Sequence, residues 1–241
     1  MLVDWASSLV PRPCAGCRRG GGPLCRSCRS LLLGPPFEAP PDAAPRGLPR
    51  TVAAAVYEGP VREAVVAFKD HGRWSLRAPL GRALASSAAV LLEPCPGRRA
   101  VLVPVPGSPG SARRREGDHV HELAAAAARH LRAAGVRVSV RAAVMPVRRR
   151  RDQVGLGRVE RAANLAGAVA AAPWAPALRG CAVVLVDDLV TTGASLAACA
   201  RALADVDVPV VGAAVVAAAA KGLRVSSAPR AHPDVRATLD L

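Results

Sequence analysis

Aromatic residues make up only 2% of this 241-residue chain, and Met is rarer still, with 2 in all. A core without large rings has to be assembled from Ala, Val and Leu, with Ala at the contacts where helices approach a sheet most closely. Lysine is confined to Lys69 and Lys221, so the basic side chains are overwhelmingly Arg, a compositional habit that fits a GC-rich bacterial genome. Carboxylates are outnumbered 18 to 33 by basic residues, leaving a net charge of +15 that predicts anionic partners, a polyphosphorylated sugar or single-stranded nucleic acid. No apolar run is long enough to span a bilayer: the longest, Val210 to Ala220, falls short of the roughly 20 residues required. Membrane insertion is therefore not expected. The opening Met1-Leu-Val-Asp-Trp5 lacks the basic start of a secretory leader, and the expectation is a soluble, cytoplasmic chain. Also missing are Gly-x-x-x-x-Gly-Lys and Gly-x-Gly-x-x-Gly, which sets aside ATP and NAD in those binding modes.

What the chain does contain is concentrated between residues 183 and 195. There an apolar run, Val-Val-Leu-Val, ends in Asp187 and Asp188 and passes through Leu189, Val190, Thr191, Thr192, Gly193, Ala194 and Ser195 into a helical pattern. The apolar run reads as a buried parallel strand. Side chains alternate along a strand, so the two carboxylates can serve one ligand only if the chain leaves the sheet at that point. The small residues after them present backbone N–H groups to an anion, beside a helix N-terminus. Two carboxylates would repel an extended phosphate chain but suit hydroxyls one sugar-width from a phosphate, which makes ribose 5-phosphate the fitting ligand. The plainer alternative is a strand-to-helix turn capped by Thr191 or Thr192, with both aspartates solvated.

Cys14, Cys17, Cys25 and Cys28 form two Cys-x2-Cys pairs near the N-terminus, the spacing of a closed, structural zinc site. Gly20, Gly21, Gly22 and Pro23 supply the turn between them, and nearby Arg18, Arg19, Arg26 and Arg29 offset the thiolate charge. Two disulfides or a redox-active pair are the alternatives. So few residues surround the cluster that the metal itself is expected to hold it folded. Cys95, Cys181 and Cys199 stand alone and read as inert buried thiols. Gly34 to Pro49 carries six prolines in sixteen residues and reads as a semi-rigid connector. The expected organisation is a zinc-knuckle module over 1–33, a Pro-rich linker over 34–49, and an α/β domain over 50–241.

In that domain, Thr51 to Tyr57 reads as a strand, and Val61, Ala64, Val65 and Phe68 give the next helix its buried stripe, closed by Lys69-Asp70-His71-Gly72. A second helical pattern covers about Leu80 to Leu92. Val101-Leu-Val-Pro-Val-Pro-Gly-Ser-Pro-Gly reads as a strand entering a loop, followed by the basic stretch Arg113 to Arg115. Asp118 is placed to cap a helix with Val120, Leu123, Ala124, Ala127 and Leu131 on its apolar face and Gly135 at its end. His119, His121 and His130 lie off that stripe and read as surface residues. Val136, Val138 and Val140 alternate as a strand, and Arg148 to Leu156 leads into a helix with Arg158, Arg161 and Asn164. A strand and helix over Ala182 to Ala204, then a strand over Val208 to Ala219, complete a mainly parallel sheet flanked by helices.

The segment from Val183 to Ser195 resembles the phosphoribosyl-pyrophosphate (PRPP) signature of type I phosphoribosyltransferases. That resemblance implies that Asp187 and Asp188 address the ribose 2′- and 3′-hydroxyls, that the loop from Leu189 to Ser195 wraps the 5′-phosphate, and that Pro104 to Ser108 holds the pyrophosphate. It also implies displacement at ribose C1 with Mg²⁺ on the pyrophosphate, Asp187 and Asp188 favouring the positive charge that develops on the ring. In purine-salvage relatives the position of Thr191 is a carboxylate that handles the base's proton, which threonine cannot do. Joined with the four-cysteine knuckle, Phe68-Lys69, Val-Pro-Val-Pro, Arg-x-x-Asp-Gln-x-Gly-Leu and a downstream Arg-x-x-Asn, the pattern resembles the ComF family over nearly the whole chain. Membership would imply a cytosolic accessory of natural competence, partnered with internalised single-stranded DNA or a competence-machinery protein. One departure stands out. Many relatives carry Arg-Gly-Phe-Asn-Gln where this chain has Glu116-Gly-Asp-His-Val120, similar to an actinobacterial variant and lacking an aromatic on which a base could stack.

Overall fold

A computed structural model describes residues 13–107, 118–147 and 169–219. The Arg113 to Arg115 run, Ser108, and the segment from Arg148 through Arg158, Arg161 and Asn164 lie outside the described residues.

Six strands form one sheet in the order β1-β2-β8-β7-β3-β4. These are β1 (Phe37–Glu38), β2 (Thr51–Val56), β3 (Ala100–Pro104), β4 (Val138–Val140), β7 (Ala182–Val190) and β8 (Val210–Ala218), all pairings being parallel except β1 with β2. The central strands are Val and Ala on both faces because both faces are covered. Three helices, α2 (Gly59–Lys69), α3 (Arg77–Leu92) and α4 (His119–Ala133), bury one face; α5 (Ala194–Ala204) and a small antiparallel pair, β5 (Val144–Pro146) with β6 (Val169–Ala171), bury the other. The mixed α/β fold with a mainly parallel sheet expected from the sequence is what the chain adopts.

Scarcity of large side chains shows in the packing. At Gly81 of α3 an added Cβ would lie 2.3 Å from Cβ of Ala126 on α4, so these two helices touch nearly backbone to backbone. The stripe foreseen for α2 is buried as expected: Val61, Ala64, Val65 and Phe68. Asp118 caps α4, its carboxylate accepting from the His121 amide.

Two expectations need correction. Residues 34–49 are not a bare connector, because Phe37–Glu38 adds an edge strand to the sheet, Ala39 is buried, and Leu48 packs beside Gly193. Nor does the cysteine knuckle depend on metal alone for its core. Cys14, Ala15, Leu24, Cys28 and Leu32 share one apolar cluster with Val61 and Phe68 of α2, Leu32 coming from a short helix, α1 (Arg26–Leu32). Proline-rich sequence and local composition hid these contacts, since both are made with residues far along the chain.

Candidate functional site

β7 does not leave the sheet at the acidic doublet, as the sequence suggested it must. It stays paired to β8 through Val190 opposite Ala218, and its other neighbour leaves instead. β3 pairs with β7 only as far as Pro104 opposite Val186; one more bond, from the Val105 amide to the Val186 carbonyl, closes the ladder. Pro104 and Pro106 bracket this exit, each without an N–H to donate. The departure uncovers β7 along its β3 side where the carboxylates begin. A cavity of about 320 Å³ opens there, lined by Lys69, Val105, Pro106, Gly107, His119, Val120, Asp187, Asp188, Leu189, Thr191 and Ser195.

The two aspartates obey strand alternation. Asp188 turns toward the helix face carrying α2 and α4, where Lys69 Nζ lies 2.6 Å and His119 Nε2 3.1 Å from the same oxygen, Oδ2. Burial opposes the charge on Asp188, but the His119 hydrogen bond and the Lys69 ammonium outweigh it and hold the carboxyl down at about 2. Asp187 accepts the Asp188 amide at 2.8 Å through Oδ1. Burial and the charge on Asp188 raise its carboxyl well above the ordinary aspartate range. On the same side, burial and the charge of Asp187 push the Cys199 thiol of α5 up to about 12. One carboxylate is thus pinned as an anion while its neighbour is easily protonated.

Beyond the doublet, Val190 is buried, and Thr191 and Thr192 form an exposed turn. Thr192 Oγ1 accepts from the Ala194 amide at 3.4 Å, and Gly193 takes φ +73° to launch α5. A Cβ on Gly193 would lie 2.7 Å from Leu48 Cδ1, so glycine is required by both conformation and space. Ser195, in the first turn of α5, lines the cavity, and a helix N-terminus beside a cavity is an arrangement that binds an anion. Of the expected ligand loop, Asp187, Asp188, Leu189, Thr191 and Ser195 line the cavity, while Val190, Thr192, Gly193 and Ala194 shape the turn behind it. Val105, Pro106 and Gly107 of the expected pyrophosphate loop line it as well.

His119 was misread. Its side chain is 9% exposed and sits in the site, not on the surface. Its position as the first residue of α4 places it outside the helix's own apolar stripe, so periodicity carried no trace of it; the lone Lys69 at the end of α2 was the better clue that this region binds a charge.

The four cysteines come together away from this cavity. Their sulfurs lie within 4.8 Å of one another, and Cys17 and Cys25 are 3.7 Å apart. A tetrahedral site with Zn–S bonds of about 2.3 Å requires sulfurs spaced at roughly 3.8 Å, so the donor set fits zinc. Burial works against a thiolate at Cys14, but the backbone amides of Cys17, Cys25 and Gly16 prevail and bring it down to about 6; burial and the neighbouring sulfurs raise Cys28. The knuckle is seated on α2: a Cβ on Gly16 would meet Cys28 Sγ at 2.9 Å and Pro60 Cβ at 3.0 Å. Arg73 donates to the Pro13 and Gly22 carbonyls at 2.5 and 3.2 Å and clasps both ends of the turn. None of the seven cysteines is joined in a disulfide in this structure. Among the described residues no helix is long and apolar enough to cross a membrane.

Comparison with protein families matches residues 122–231 to the phosphoribosyl transferase domain. No curated protein matches the chain.

Proposed function

We propose, for a chain whose residues 122–231 match the phosphoribosyl transferase domain, that the cavity at the end of β7 binds Mg-PRPP and transfers its phosphoribosyl group to an acceptor. The observation that carries this reading is the opening of the sheet beside Asp187 and Asp188, with Thr191 and Ser195 of the following turn lining the same cavity. The 5′-phosphate docks at the Thr191–Ser195 turn on the amides that begin α5. The ribose hydroxyls meet Asp187 and the second carboxylate oxygen of Asp188, and the pyrophosphate lies along Val105 to Gly107.

The oxygen-rich lining suits a hard cation that arrives on the pyrophosphate. Magnesium supplies neutralisation of the leaving group's charge. The chain's own contribution is position and electrostatics: a fixed negative charge at Asp188 favours the positive charge developing on the ribose ring. Isothermal calorimetry with Mg-PRPP tests the reading. Asp188→Asn removes a charge-assisted contact of about 1.5–3 kcal/mol, so affinity should fall tenfold or more; an unchanged affinity refutes the site.

A second reading draws on the net charge of +15 and on a groove of about 530 Å³ at the opposite, amino-terminal edge of the sheet, flanked by exposed Arg99, Arg132 and Arg137. It makes the protein a ComF-type accessory that holds single-stranded DNA or a competence-machinery partner. Affinity for an oligonucleotide that does not fall steeply with added salt removes the electrostatic basis for it.

A further inference from the structure

A transfer to an N–H acceptor needs somewhere for the acceptor's proton to go. Among the described residues lining the cavity, four carry titratable side chains: Lys69, His119, Asp187 and Asp188. Thr191 and Ser195 offer hydroxyls, which are not bases at neutral pH. Lys69, as the ammonium partner of Asp188, has no lone pair to offer. Oδ2 of Asp188 is already taken by two donors, and a carboxyl held at about 2 is a weak base. Asp187 spends Oδ1 on its neighbour's amide and faces the ribose hydroxyls in the reading above.

His119 remains. Its Nε2 lies 3.1 Å from a carboxylate oxygen, which can only accept, so Nε2 must be the protonated nitrogen. In the neutral ring the free lone pair then sits on Nδ1. Asp188 therefore selects the tautomer and fixes the ring's plane, while the carboxylate itself keeps no proton. The ring is buried in the wall of the cavity next to Val120.

We propose that His119, oriented by Asp188, accepts the proton of the attacking acceptor through Nδ1 during phosphoribosyl transfer. The acceptor class is an amine or ring nitrogen bearing N–H. As its lone pair forms the bond to C1, the C1–O bond to pyrophosphate breaks with its electrons leaving on the pyrophosphate, and the acceptor's N–H proton passes to His119. Atoms and charge balance without a further reagent. The proposal rests on PRPP being the ligand of this cavity, and it fills the role that Thr191 cannot.

The test separates the two ideas. Gln places an amide N–H near the position of Nε2 and so retains the donor to Asp188 while offering no base. Mg-PRPP affinity of His119→Gln by calorimetry should stay within about threefold of wild type. Its turnover, followed as pyrophosphate release with a panel of nucleobases and amines, should fall at least about 100-fold, the typical contribution of a positioned base. The wild-type rate should rise with pH along a limb that the variant lacks. The titratable groups that line the cavity with His119 are Asp187 and Asp188 from β7 and Lys69 from α2, and Asp118, His121 and Glu122 neighbour it along the chain; the limb must survive Glu122→Gln and His121→Asn to be assigned to it. His119→Ala should regain turnover on addition of imidazole, which a purely structural role would not allow. Wild-type turnover and pH profile in His119→Gln overturn this proposal alone, as does a wild type that binds Mg-PRPP but turns over with no acceptor. Failure of the wild type to bind Mg-PRPP overturns the ligand assignment and this proposal with it.

Discussion

Lys69 Nζ, at the last residue of α2, lies 2.6 Å from Oδ2 of Asp188 near the end of β7, joining a helix and a strand whose contacting residues are 119 positions apart in the sequence. The carboxyl so held at about 2 makes acid a specific threat to this protein. A depressed pKa stabilises the fold fully above the unfolded value, near about 3.9, and the contribution is lost as pH falls toward the folded value. Asp187 acts in the other direction: with its pKa raised, the folded state favours its proton, and ionisation at rising pH erodes stability. Thermal denaturation of Asp188→Asn from pH 5 to pH 2 should therefore show a shallower acid decline than wild type. Parallel curves would mean that the Lys69–Asp188 contact contributes nothing to folding.

Gly193 gives a second handle, independent of the carboxylates. Alanine there must adopt φ near +73° and displace the tip of Leu48. The backbone strain alone should cost roughly 1–3 kcal/mol, and relaxation of the turn should weaken Mg-PRPP binding as well. Leu48→Ala in the same background removes the clash but not the strained φ, so it should restore only part of the melting temperature. Full restoration would show that space, and not conformation, is what keeps glycine here.

The cysteine cluster predicts one zinc per chain, measured by mass spectrometry of the purified protein. Cys17→Ser or Cys25→Ser should lose the metal and lower the melting temperature. Because Cys14, Cys28 and Leu32 are packed against α2, the rest of the chain should stay folded with its parallel sheet intact. Complete unfolding by chelator would contradict that shared core. Retention of zinc in both variants would contradict the ligand set.

Much of this architecture was legible in the sequence wherever the physics is local. The α2 stripe, the Asp118 cap and the acidic strand end are each written in consecutive residues. What could not be read was pairing at a distance. Phe37–Glu38 is too short to show alternation and lies among prolines, yet it becomes an edge strand because β2 has an open side. His119 matters through a partner 69 residues later in the chain, and no periodicity of α4 encodes that. The exit of β3 beside the doublet was likewise hidden, since the sequence shows where apolar runs end but not which neighbour stops pairing first.

The eleven residues of α2 span about 16 Å. Pro60 at one end supports the knuckle and Lys69 at the other holds the acidic doublet, with Phe68 and Trp74 locked edge to face at 5.5 Å beside it. A rod anchored at both ends transmits what happens at either. Stripping the metal should loosen the sugar-phosphate pocket from afar, and a filled pocket should in turn slow the escape of zinc.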